Sequence, residues 1–201
     1  MAWDTARTRQ ALLDAAVHEF ADRGFDGARI DAIATRAGVN KERIYQYFGN
    51  KQQLFGHVLE TELERISTTI PVTVEQAADL GDYAARLYDY HRARPQFIRL
   101  LHWEGLRNGN EPALKEAERT ATYSSRVRAL AEAQANGTLD PGLEPDTLFY
   151  AVLALASWWF SVPQAVRMIY GGAPGPEAER AGLVRLVRRL AGQEGREGRE
   201  G

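Results

Sequence analysis

The side chains best suited to chemistry at a nucleic-acid surface lie between Lys41 and Lys51: Lys41, Glu42, Arg43, Tyr45, Gln46, Tyr47 and Lys51. A guanidinium can make two parallel hydrogen bonds to guanine, and a glutamine amide can pair with adenine, so Arg43 and Gln46 suit base edges. Tyr45, Tyr47 and Lys51 suit phosphate oxygens. Such readout needs a helix that offers polar groups on one side and is anchored by the other. Ile44 and Phe48, one helical turn apart, are the anchor, and a wheel puts Glu42, Arg43 and Gln46 opposite them. Tyr47 lies at one edge, where its ring can both pack and contact DNA.

That helix must be held by a second one. Ile30, Ile33 and Ala34 recur at helical spacing, Gly38 breaks the pattern and Asn40 can cap a new start, which predicts helices over about 30–37 and 41–48 joined by a tight turn. This is a helix-turn-helix. Before it, Leu12, Leu13, Ala16, Val17 and Phe20 form the stripe of a helix from about Thr5 to Arg23, ended by Gly24. After it, Asn50 caps a fourth helix, with Gln53 in capping-box position and Leu54, Phe55, Val58, Leu59, Leu63 and Ile66 as its apolar stripe. Lys51 sits in its first turn, whose free amides attract anions.

Pro71 interrupts the pattern. Further helices are expected from about Val74 to Ala93, Pro95 to Leu106, Pro112 to Ala135, Pro145 to Tyr170 with a kink at Pro163, and Glu177 to Leu190. No stretch alternates long enough for a strand, so the chain reads as all-α. The tail 192–201 holds only Gly, Glu, Arg and Gln, a composition expected to be disordered.

The 201 residues are 44% hydrophobic, enough for a real core. No cysteine is present, which excludes disulfides, thiolate metal sites and cysteine nucleophiles. His18, His57, His91 and His102 have no paired spacing for a metal. No catalytic triad, phosphate loop or cofactor motif is visible. The apolar run from Phe149 to Phe160 is shorter than the roughly 20 residues of a membrane span. The first residues lack the apolar core of a signal peptide, so a cytoplasmic location is expected. Formal net charge is -2, and up to Lys51 eight basic residues face seven acidic ones. DNA contact must therefore come from the placement of a few cations.

Ile33-Ala34, Ala37-Gly38-Val39-Asn40, Ile44-Tyr45-Gln46-Tyr47-Phe48, Lys51 and Leu54-Phe55, preceded by Ala15-Ala16-Val17, Phe20 and Gly24-Phe25, resemble the DNA-binding domain of the TetR family of bacterial transcriptional regulators. The resemblance covers about the first quarter of the chain. It implies that Lys41, Glu42, Arg43, Tyr45 and Tyr47 read bases or touch the backbone, and that Lys51 holds a phosphate. Arg29 departs from the pattern, because many members place threonine or serine there. An arginine cannot cap the second helix, though it can reach a phosphate. Glu42 stands where small residues are common, and it would repel phosphate unless it accepts from cytosine or pairs with Lys41.

The resemblance further implies a helix-turn-helix domain at 1–52 and a helical effector-binding and dimerisation domain at 53–191. Two hydrophobic segments, 145–170 and 177–190, would suit a four-helix bundle with a symmetry mate, so a homodimer is expected. Phe97, Trp103, Glu104, Tyr123 and Trp158 are candidate effector contacts, each of which could equally be core or interface. The expected function is a repressor released from a palindromic operator by a small apolar or aromatic ligand. A TetR-like activator, a ligand-independent regulator and an all-helical enzyme or ligand carrier are the alternatives. No cofactor and no membrane are implied as partners.

Overall fold

The computed structural model describes residues 2–193. Its eleven helices within that range fall into two compact units, and no strand occurs among the described residues.

The first unit joins the N-terminal residues up to Thr68 with Arg94–Leu114. It contains α1 (Ala2–Gly27), α2 (Ile30–Ala37), α3 (Glu42–Phe48), α4 (Lys51–Thr69) and α7 (Pro95–Asn108). Leu12, Ala16, Phe20, Ile33, Ile44, Leu54, Val58 and Leu100 are buried together at its centre. Full burial of each large side chain stabilises by about 1.5–3 kcal/mol. The Phe20, Phe25 and Phe55 rings lie 5.0 to 6.3 Å apart between their centres, two of the three contacts edge-on.

The sequence-based division at 52/53 differs from this grouping, because α7 arrives from far along the chain and docks on α1. The Trp103 indole N–H donates to Ala21 O at 3.2 Å, and Arg99 pairs with Asp22 at 3.4 Å. Helical geometry expected to stop at Gly24 breaks there, with φ of 68°, and one further turn runs to Gly27. A Cβ on Gly24 would stand 2.8 Å from the Trp103 ring, so glycine serves both the bend and the close approach.

One carboxylate is buried in this unit. Glu62, 1% exposed, falls on the apolar stripe of α4, while Leu63 is only half-buried. Arg94 holds Glu62 with both Nε and Nη2, the shortest bond 2.9 Å, and Arg65 donates at 3.0 Å.

The second unit contains α5 (Val74–Ala77), α6 (Leu80–Ala93), α8 (Glu116–Ala135), α9 (Pro145–Ser161), α10 (Pro163–Tyr170) and α11 (Pro176–Leu190). The single helix expected over 74–93 is two. Thr73 opens α5 with a capping box, and the Asp79 carboxylate then accepts the Asp82 N–H to start α6 afresh. Pro112 stands outside α8, which begins only after Lys115 at φ of 52°. Segment 145–170 is broken rather than kinked: α9 and α10 meet at 88°, where Pro163 has no N–H to continue the ladder. No single helix among the described residues is long and apolar enough to cross a membrane.

Helix α11 is fastened along α6 by side chains. Arg180 pairs with Asp89 at 2.9 Å, Arg188 with Asp79 at 2.6 Å, and Tyr88 donates to Glu179. The Arg188 bond holds the Asp79 carboxyl below its usual range despite partial burial. Gln193 donates to Ala78 O at 2.7 Å and accepts the Leu80 N–H at 3.0 Å. The start of the tail expected to be disordered is thus fixed, and 194–201 lie outside the described residues.

Candidate nucleic-acid interface

The turn between α2 and α3 is built by Gly38, whose φ of 67° lets its own N–H and that of Val39 close back onto the α2 carbonyls of Thr35 and Ala34. Asn40, read from sequence as the cap, stands one residue before the cap position, Lys41, which makes no side-chain cap; Asn40 Oδ1 accepts the Glu42 N–H at 3.4 Å. Ile44 and Phe48 go into the core, 0% and 3% exposed, and fix which way the rest of α3 looks.

The outward face carries Glu42, Arg43, Tyr45 and Gln46, all exposed. Arg43 Nη1 and Gln46 Oε1 lie 3.5 Å apart, so the two candidate base readers share one face. Tyr47 is half-buried, its ring 6.2 Å from that of Phe48, and takes the intermediate position anticipated for it. Lys41 does not turn to Glu42: it pairs with Asp31 of α2 at 3.4 Å. Glu42 stands in the first turn of α3, where a negative charge is favourable to the helix dipole.

Arg29 makes no side-chain cap on α2. The cap comes from α1 instead, because Glu19 Oε1 accepts the Arg29 backbone N–H at 3.0 Å, and the exposed guanidinium is left for other work. Asn50 Oδ1 accepts the Gln53 N–H at 2.9 Å and opens α4 as expected. Lys51 in the first turn donates to Asp26 O at 3.2 Å, with its Nζ 5.0 Å from the centre of the Phe25 ring. Lys41, Arg43, Tyr45, Gln46 and Lys51 thus come from one compact unit held by a common core.

The five effector candidates are divided between the two units. Phe97, Trp103 and Glu104 belong to the first unit, Tyr123 and Trp158 to the second. Phe97 is buried, Trp103 braces Gly24, and Glu104 accepts the Leu114 N–H at 3.3 Å. Tyr123 lies with its ring 6.3 Å from that of Phe149, and Trp158 is 58% exposed. Sequence reasoning missed Glu62 and Arg94. The former was detectable, since 55, 58, 62 and 66 follow one helical stripe on which a carboxylate is out of place.

A family model described as "Bacterial regulatory proteins, tetR family" matches residues 12–58, and one described as "Tetracyclin repressor-like, C-terminal domain" matches 79–189. The chain is 37% identical over 188 residues to the HTH-type transcriptional repressor SCO4008 of Streptomyces coelicolor, covering 93% of this chain and 96% of that one. It is 35% identical over 144 residues to the HTH-type transcriptional repressor NicS of Pseudomonas putida, covering 69% and 62%. The crystal structure of the transcriptional regulator SCO4942 from Streptomyces coelicolor superposes with a TM-score of 0.80 at 34% identity, covering 91% of this chain and 97% of that one. These relatives are transcriptional regulators, which leaves the reading of an enzyme or carrier without support.

Proposed function

The chain belongs to the TetR family of bacterial transcriptional regulators, and from that premise we propose that it is a homodimeric repressor released from a palindromic operator by a small effector. One observation carries the DNA half of this reading. Arg43, Tyr45 and Gln46 are exposed on a helix whose other face, Ile44 and Phe48, is locked in the core. Base reading by the N-terminal part of a second helix is how a helix-turn-helix specifies sequence. Arg29, Lys41, Tyr47 and Lys51 then serve the phosphates, and Glu42 accepts from cytosine or screens the helix start.

The dimer rests on the second unit. Tyr150, Ala154 and Trp158 form an exposed stripe at four-residue spacing on α9, and Leu186 is exposed on α11. Two such stripes facing their copies across a two-fold axis would be buried in an isologous interface. The aromatic side chains Tyr123, Phe149 and Trp158 favour an apolar or aromatic effector, bound where it prefers a conformation that spoils the spacing of successive major grooves, about 34–36 Å. Phe97, Trp103 and Glu104, which have packing duties inside the first unit, are the weaker effector candidates. Repression is favoured over activation by the names of the SCO4008 and NicS relatives. On this reading the protein works in the cytoplasm, where its operator is.

Selection of bound fragments from the source genome, followed by footprinting, tests the reading. The expected result is a two-fold symmetric site from which Arg43→Ala loses on the order of 1–3 kcal/mol while non-specific binding persists. Enrichment of no sequence, or an Arg43→Ala footprint identical to the parent's, overturns it. Transcription from the selected promoter with and without the protein fixes the sign.

A further inference from the structure

We propose that Arg107, at the end of α7, is a DNA-phosphate contact that works beside Lys51, extending the interface beyond the helix-turn-helix onto a helix some fifty residues later in the chain. The proposal rests on the DNA-binding reading above, and in particular on Lys51 as a phosphate ligand.

The first observation is how differently the arginines of this segment are used. Arg94 is bound to the buried Glu62, and Arg99 pairs with Asp22. Arg107 is exposed and has no carboxylate partner among the described residues. Its guanidinium carbon lies 3.8 Å from the centre of the Phe25 ring. At that distance the planar group stacks on the ring. Stacking uses the face of a guanidinium and leaves the N–H groups at its edge directed outward, the arrangement suited to taking a phosphate with two hydrogen bonds.

The second observation is where that ring stands. Phe25 packs against Phe20 and Phe55 on its core side, and Lys51 Nζ lies 5.0 Å from its centre. The Lys51 ammonium is fixed by Asp26 O and likewise has no carboxylate partner among the described residues. Two uncompensated cations therefore flank one aromatic ring at the start of α4. Bringing them together costs repulsion that a polyanion relieves. Backbone phosphates repeat along a strand, so one rigid support for two cations matches two positions on the same strand. Charge counted over residues 1–51 comes out nearly neutral, and Arg107 is a cation that only the fold delivers to that unit.

Salt dependence of binding decides the matter and needs no operator. The full-length protein, Lys51→Gln, Arg107→Met and Arg107→Lys are titrated with a mixed-sequence 30-base-pair duplex over a range of salt, and their melting temperatures are recorded. Arg107→Met keeps an apolar stem on Phe25 and removes the charge. It is expected to weaken binding roughly three- to tenfold at low salt and to lower the slope of log K against log salt by about one. Arg107→Lys should restore the slope. If Lys51→Gln lowers the slope but Arg107→Met only lowers the melting temperature, Arg107 is a packing residue and the inference fails while the DNA reading stands. If neither variant changes the slope, the Lys51 assignment fails and takes this inference with it.

Discussion

Helices α3 and α9 face solvent with opposite chemistry. Seven-residue α3 hides two apolar side chains and exposes Glu42, Arg43, Tyr45 and Gln46, whereas α9 hides Leu148, Phe149, Val152 and Ala156 and still exposes Tyr150 and Trp158. Hydrogen-bonding groups on a protruding helix are at ease in water and available to base edges. A large aromatic stripe in water is not at ease, and on the proposed reading a second copy of the chain covers it. On the reading proposed above, one unit offers a surface to a polar polymer and the other offers one to a second copy of the chain.

The widest test of this contrast replaces the apolar surface. Trp158→Glu together with Leu186→Glu should convert a dimer to a monomer in sedimentation velocity. It should cut operator affinity by about 10²-fold or more, because two linked half-sites bind with avidity. A variant that stays dimeric would mean that α9 and α11 are not the interface.

Next in size is the buried Glu62 carboxylate of the DNA-binding unit with its two part-exposed arginine partners. Glu62→Ala removes the carboxylate held by Arg94 and Arg65, whose side chains are 36% and 33% exposed, and should cost about 1–2 kcal/mol in urea unfolding. Most of that should return in the double variant Glu62→Leu, Arg94→Met. A single change without effect would show that α7 is held by Leu100 and Trp103 alone.

Acid should strike the second unit. Burial pushes the His91 imidazole down from 6.5 to about 4. The folded protein keeps this ring neutral where the unfolded chain already binds a proton, so its contribution is intact above pH 6.5 and declines as pH falls toward 4. The slope is about 1.4 kcal/mol per pH unit. Urea midpoints at pH 7 and 5 should therefore lie closer together in His91→Met than in the parent; equal shifts in both would remove His91 as the cause.

The smallest effects separate two glycines with similar φ. Gly38, with ψ of 30°, is left-handed helical and a Cβ there meets nothing within 4 Å, so Gly38→Ala should cost about 1 kcal/mol, while Gly24, with ψ of 179°, holds a backbone conformation nearly confined to glycine and a Cβ there also collides with the Trp103 ring, so Gly24→Ala should cost about 2 kcal/mol. Equal melting temperatures would mean that neither the Gly24 backbone nor the Trp103 ring resists a side chain there.

The α2–α3 hairpin was legible because its geometry is written in local residues: Gly38 needs the left-handed region, Asn40 accepts an amide at the turn, and Ile44 with Phe48 set the face. Lys41 was not, since its partner Asp31 lies on the preceding helix. The place of α7 was equally hidden, because Leu100 and Trp103 meet α1 across most of a hundred residues. Aromatic type could not distinguish a ring that braces a bend, such as Trp103, from one that is exposed, such as Trp158. The break at Pro163 was visible, but its angle depends on packing.

The borrowed cap on α2 has a consequence for how the hairpin comes into being. An eight-residue helix is well below the roughly 12–15 residues that persist alone in water, and this one takes its first hydrogen-bond acceptor from Glu19, ten positions upstream. A peptide spanning 28–51 therefore lacks the carboxylate that satisfies the Arg29 N–H at the helix start. Helix α2 should be more populated in the intact unit than in that peptide, a difference that circular dichroism of the peptide measures.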